Sequence, residues 1–207
     1  MAINYEQSRS TEMNTRRTSR RRWLQIFGGL FLQVGLVAPV IFTTRKSSAQ
    51  QTATPSCGRS TPPQIAGPFF IPQSPERNSL IEPGMKAKRM RLMGQVVDMR
   101  CQPVPSALID FWQCDERGEY DNRGFRLRGH QFADRKGQFV LDTLVPGAYP
   151  GRTPHLHVRV QRRGGQILTT QLYLPDHPGN TGDFLFDPRL LMVARGSDFY
   201  YQFVVAD

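Results

Sequence analysis

The sequence predicts an all-β protein: an antiparallel β-sandwich with irregular loops, preceded by a signal segment. Three observations predict it. From Arg91 onward apolar residues recur in short runs separated by turn signals. No stretch of this body keeps a 3.6-residue apolar period, and 18 Gly and 16 Pro favour turns over a helical bundle. The start of the chain is different in kind, a basic cluster followed by an apolar run.

The strands expected are, in order, Leu92–Val97, Ala107–Trp112, Gln138–Leu141, His155–Val160, Leu168–Leu174 and Phe199–Val205. Turn sequences separate them: Asp115-Glu116-Arg117-Gly118, Asp134-Arg135-Lys136-Gly137 and Arg163-Gly164-Gly165. A body of this length buries a sizeable core.

The N-terminal quarter explains the charge. Of 207 residues the net charge is +10, which by itself suggests a nucleic-acid binder. Residues 1–50 hold eight basic residues against Glu6 and Glu12, leaving +4 for the other 157 residues. The excess sits around Ser19-Arg20-Arg21-Arg22-Trp23-Leu24-Gln25, ahead of an apolar run from Trp23 to Phe42 and the small residues Ser47-Ser48-Ala49. A basic start, an apolar middle and a small-residue end make residues 1–49 an export signal of twin-arginine type. The protein is therefore expected to be exported, periplasmic or extracellular, with no nucleic-acid partner. It is expected to have no stable membrane insertion if the signal is cleaved, although the 20-residue apolar run is also long enough for an uncleaved anchor. Residues 50–66 are polar and Pro-rich and read as a linker, leaving 67–207 as the domain.

The chemistry is sought in Pro154-His155-Leu156-His157-Val158-Arg159-Val160. Side chains alternate along a strand, so Leu156, Val158 and Val160 point to the core while His155 and His157 sit side by side on the other face. Two imidazoles so placed form a chelating pair; they also fit two half-exposed histidines on a solvent face. His130 and His177 have no similar setting. Cys57, Cys101 and Cys114 form no CxxC, and residues 158–165 lack the carboxylate that a cupin would place after such a pair. Tyr120 and Tyr149 remain as donors. A phenol with a pKa near 10 ligates only a strongly acidic cation, which favours ferric iron over Zn²⁺; either phenol alone also suits a packed ring with a hydrogen-bonded tip. No GxGxxG or GxxxxGK[ST] is present, so no nucleotide cofactor is expected.

From Gly67 onward the ordered motifs resemble the intradiol ring-cleavage dioxygenases, the non-haem ferric enzymes related to catechol, hydroxyquinol and protocatechuate dioxygenases. They are Gly67-Pro68-Phe69-Phe70, Gly94-Gln95-Val96-Val97-Asp98, Ala107-Leu108-Ile109-Asp110-Phe111-Trp112-Gln113, Gly118-Glu119-Tyr120, Leu127-Arg128-Gly129-His130-Gln131, Pro146-Gly147-Ala148-Tyr149, Arg152-Thr153-Pro154-His155-Leu156-His157 and Thr169-Thr170-Gln171-Leu172-Tyr173. The resemblance implies Fe(III) held by Tyr120, Tyr149, His155 and His157. It implies that Tyr149 leaves the metal when substrate binds, that Arg152 lies beside the substrate ring, and that Gln171 supports the site from behind. The implied reaction opens a catechol-type ring between its hydroxyl-bearing carbons with O₂, giving a muconate-type dicarboxylate. The alternative is a non-catalytic module binding catecholate or carbohydrate on the same sandwich; an oligomer is compatible with either.

Two departures from the family pattern are visible. The six-residue step from Tyr149 to His155 is shorter than in the cytoplasmic enzymes, and the helical N-terminal domain of the catechol group has no counterpart, which implies the exported single-domain branch. Cys101 stands where the family usually has Gly; if that turn requires positive φ, Cys costs about 1 kcal/mol there. An exported chain with three Cys is able to form one disulfide. A Cys101–Cys114 bridge is disfavoured, because the strand between them holds its ends apart.

Overall fold

The structure, a computed structural model, describes residues 57–206. The expected signal segment (1–49), its alternative reading as an anchor, and the first part of the expected linker (50–56) lie outside the described residues.

Eight strands form two four-stranded sheets. They are β1 (Arg89–Asp98), β2 (Leu108–Trp112), β3 (Arg128–Phe132), β4 (Gln138–Leu144), β5 (His155–Gln161), β6 (Ile167–Tyr173), β7 (Val193–Arg195) and β8 (Asp198–Val205). One sheet has the order β4-β1-β8-β7 and the other β3-β2-β5-β6. The β-sandwich is as the sequence predicts. All pairings are antiparallel except β1 with β8, which run parallel. Those two strands are far apart in sequence, so no hairpin constrains their direction. The core lies between the sheets, where Leu92 and Val96 of β1, Leu141 of β4 and Phe203 of β8 meet Ile109 and Phe111 of β2, Leu156, Val158 and Val160 of β5 and Leu172 of β6. Between β6 and β8 run two short 3₁₀ turns, Pro178–Gly182 and Pro188–Leu190, each opened by a proline.

β3 and β7 were not among the expected strands. Arg-Gly-His-Gln-Phe carries no apolar alternation, and β7 is only three residues long. β3 forms because its backbone completes the ladder beside β2, from Leu108↔Phe132 to Trp112↔Arg128.

The stretch 57–66, read from composition as linker, is packed on the sandwich. Thr61 N–H donates to Val204 O at 2.9 Å and Gln64 N–H to Thr169 O at 2.8 Å. The chain then crosses the outer face of the second sheet from β6 to β3, where His130 N–H donates to Pro75 O and Arg77 N–H to His130 O. Prolines keep this arm extended and remove donors that a crossing segment would leave unpaired. Its start is tied down by a disulfide between Cys57 and Cys101, which lies in the turn after β1. Cys101 has φ 66°, the left-handed conformation that the departure from Gly raised. Cys114 is the free thiol, buried against Gly147 O.

The Cys57–Cys101 bridge closes a 44-residue separation. Loop-closure entropy of that span predicts about 4 kcal/mol of stabilisation. Urea unfolding with and without reductant, and of Cys57→Ser, is expected to show a loss of about 2–4 kcal/mol.

Candidate metal centre

His155 and His157 sit on β5 with their side chains away from the inter-sheet core. They are nevertheless 0% and 1% exposed, so the solvent-face alternative does not hold. The cover comes from the arm and from two loops. Trp112, paired with His157 in the ladder, stacks on its ring at 4.9 Å and 7°. Phe70 meets Trp112 edge-on, and the Arg159 guanidinium lies 3.5 Å from the centre of the Phe70 ring.

The tyrosines arrive from the two loops that follow β2 and β4. Asp115 N–H donates to Glu119 O and Gly147 N–H to Asp115 O, so the loops run against each other. This approach requires glycine. A Cβ on Gly118, at φ +84°, would lie 2.6 Å from Ala148 O, and one on Gly147 would lie 2.5 Å from Glu116 O. The ring centres of Tyr120 and Tyr149 are consequently 6.0 Å apart.

Donor atoms converge at one buried point. His155 Nε2 lies 3.2 Å from His157 Nε2 and 3.4 Å from Tyr149 Oη. Tyr120 faces His157 with ring centres 6.1 Å apart, and its buried Oη has no hydrogen-bond partner. His155 Nδ1 lies 2.7 Å from Thr153 O; a carbonyl only accepts, so Nδ1 carries the proton and Nε2 turns its lone pair to the cluster. Burial, reinforced by Arg152, pushes His155 down to about 4. Burial, then the neighbouring His155, holds His157 well below the ordinary imidazole range. Burial raises both phenols. The four groups are thus neutral donors gathered away from water.

Arg152 and Gln171 lie beside them. Arg152 Nη1 is 3.5 Å from Tyr149 Oη, and Nη2 donates to Gln171 Oε1. Gln171 pairs with His157 across β5 and β6, and its Nε2 donates to Ile65 O at 3.1 Å. Every residue singled out in the sequence, namely Tyr120, Tyr149, His155, His157, Arg152 and Gln171, therefore lies in one cluster. Asp183 was missed. Its carboxylate takes Arg152 Nε at 3.1 and 3.0 Å and the Thr153 amide at 3.0 Å, with its own side chain fully buried. It lies on an irregular loop 31 residues after Arg152, without a motif to flag it. Trp112 could have been found: alternation through the expected strand Ala107–Trp112 puts it on the outer face with Asp110.

The donor set fits a metal ion. A buried phenol oxygen without a hydrogen-bond partner, beside converging imidazole nitrogens, is a donor that a cation would satisfy. Among the described residues no group of three or more His, Cys, Asp or Glu forms a site. Two nitrogens and two phenol oxygens suit a hard, strongly acidic ion.

Two histidines and two tyrosines thus meet under a crossing arm on one face of a two-sheet sandwich. The Dioxygenase_C family model, described as dioxygenase, matches residues 65–195. The chain is 28% identical over 196 residues to catechol 1,2-dioxygenase of Pseudomonas sp. (strain EST1001), covering 79% of this chain and 64% of that protein. It is 30% identical over 152 residues to hydroxyquinol 1,2-dioxygenase of Corynebacterium glutamicum, covering 61% of this chain and 50% of that protein. Among solved structures it resembles the dioxygenase domain of a dioxygenase–carbohydrate-binding protein fusion from the cellulolytic bacterium Streptomyces sp. SirexAA-E. The TM-score is 0.68 with 46% identity, over 72% of this chain and 99% of that one. The chain belongs to the intradiol ring-cleavage dioxygenase family. It spans 64% and 50% of the two curated relatives' lengths.

The depressed imidazoles predict a pH effect on metal-free protein. Between about pH 6.5 and about pH 4 the unfolded chain binds a proton at His155 that the folded chain does not. Stability is therefore full above about 6.5 and falls as pH drops toward about 4, by roughly 3 kcal/mol for His155 alone. Urea unfolding across this range checks it, and replacing both His155 and His157 by Ala flattens the dependence. A second expectation concerns the buried ion pair: Asp183→Ala leaves Arg152 unpaired and destabilises the fold by about 3–5 kcal/mol, measured by the same denaturation.

Proposed function

We propose that this protein is an exported intradiol dioxygenase that holds Fe(III) through Tyr120, Tyr149, His155 and His157 and opens a catechol-type ring with O₂. The observation that carries the reading is that His157 Nε2 and Tyr149 Oη lie 3.2 and 3.4 Å from His155 Nε2, with the Tyr120 ring facing both Tyr149 and His157. Ferric iron bound there would supply Lewis acidity, lowering the pKa of phenol and catechol hydroxyls alike.

The chain's own groups supply the rest. As a phenolate, Tyr149 Oη is a base for one catechol hydroxyl proton, and Arg152 Nη1 at 3.5 Å steadies the oxygen. The fixed charge of Arg152 favours the catecholate dianion and the negative charge that develops on the ring carbon. Asp183 at Nε and Gln171 at Nη2 hold that guanidinium in place. Thr153 O fixes the His155 tautomer, and the Phe69, Phe70 and Trp112 rings keep water from behind the site. The overall reaction balances without another reactant: catechol and O₂ give a muconate-type diacid carrying both oxygen atoms. The Cys57–Cys101 disulfide supports an oxidising compartment, in line with the export signal read in residues 1–49.

Purified full-length protein is expected to contain iron and to be red from tyrosinate-to-iron charge transfer. It should take up O₂ with catechol, hydroxyquinol or protocatechuate in an oxygen electrode, and binding without uptake would instead favour the non-catalytic module. Tyr149→Phe should keep the iron but lower kcat about a hundredfold or more, whereas His157→Ala should lose the metal by elemental analysis. Iron-free, colourless wild type would sink the proposal.

A further inference from the structure

Arg128 is the odd charge of this molecule. It is 1% exposed, a degree of burial at which arginine is normally ion-paired. Its guanidinium instead donates to two backbone carbonyls. Nη1 reaches Phe69 O at 2.6 Å, while Nε and Nη2 reach Asp121 O at 3.2 and 2.7 Å. Phe69 and Asp121 lie on different segments, one on the crossing arm and one in the loop after β2, and both touch Tyr120. The Phe69 ring stacks on the Tyr120 ring at 4.2 Å and 12°, and Asp121 is the next residue in the chain. The loop beyond is already stiff, because the Asp121 carboxylate accepts from the amides of Arg123, Gly124 and Arg126. The ladder Gln171–His157–Trp112–Arg128 then sets Arg128 on the same sheet face as the imidazole of His157.

We propose that Arg128 is the positioning residue for Tyr120: one guanidinium grips the phenol's stacking partner and the backbone just after it, and so fixes the ring in the metal site. Arginine is needed because its planar fork presents donors in two directions at once, whereas a lysine ammonium reaches one carbonyl as a point charge. Tyr120 has no hydrogen bond of its own to orient its hydroxyl, so the ring's placement depends on what holds its face and its backbone. The inference rests on the iron-binding reading above for its consequence, but not for the clamp itself.

The test uses full-length Arg128→Met, Arg128→Lys and Phe69→Leu. In a Tyr149→Phe background the visible charge-transfer band reports Tyr120 alone. Arg128→Met and Phe69→Leu are each expected to lose at least half of that band, and Arg128→Lys to fall between them and the parent. Phe203→Leu, a core change in the other sheet, is the control for general destabilisation and should leave the band in place. In metal-free protein, the Tyr120 ring resonances displaced by the Phe69 stack should move toward unstacked positions in the same variants. If Arg128→Met does not fold, Arg128→Lys and Phe69→Leu decide. An unchanged band at normal iron content, or unchanged Tyr120 resonances, would overturn the clamp. A wild type without iron or colour would remove the metal reading instead, and the resonances would still decide the clamp.

Discussion

A β-strand in a sandwich ordinarily gives one face to the core and the other to water, but β5 loses both to protein. Leu156, Val158 and Val160 fill the space between the sheets, and the arm and loops bury His155 and His157 on the other side. That second burial governs the site. Uncovered, the imidazoles would be ordinary surface groups near their usual pKa. Covered, they are neutral and held 3.2 Å apart, with the tautomer of His155 fixed by Thr153 O.

Burying polar groups creates an obligation to satisfy them, and the surrounding structure can be read as the set of answers. Thr153 O answers His155, and Asp183 answers both Arg152 and the Thr153 amide. Ile65 O answers Gln171, so the crossing arm is both lid and hydrogen-bond partner. Its aromatic residues add packing on the same face, Phe69 on Tyr120 and Phe70 on Trp112. The disulfide to Cys101 fits the same logic, since it anchors the start of the arm to the turn after β1. The positive φ of Cys101 is a local cost offset by that cross-link.

Most of the sandwich was legible because period-two alternation encodes a half-buried strand directly, as in His155–Val160 and Ala107–Trp112. β3 was not, because its placement comes from backbone pairing beside β2 rather than from its side chains. The parallel pairing of β1 with β8 is likewise a property of the closed sheet. In the site, the two histidines carried a spacing signal, and the tyrosines became readable through the ordered family motifs. Asp183 and the carbonyls that Arg128 grips had none: loop geometry brings them there, and a backbone carbonyl has no residue type to announce it. Residues 57–66, the first part of the arm, read as linker because composition registers proline and polarity but not the ladder edges those residues meet.

The fixed charge beside the cluster favours an anionic ligand over a neutral one. Arg152 stands beside the donor atoms with Asp183 as its counter-charge, and that carboxylate is turned to the guanidinium Nε while the Nη groups face Tyr149 and Gln171. Arg128, on the other side, donates to two carbonyls with Asp121 and Asp110 nearby, and the Arg159 guanidinium lies over the face of Phe70 opposite Asp110. The donor groups themselves are uncharged before a cation arrives. Arg152 thus places fixed positive charge beside donor groups that are neutral until a cation removes their protons, and an anionic ligand would meet that charge directly.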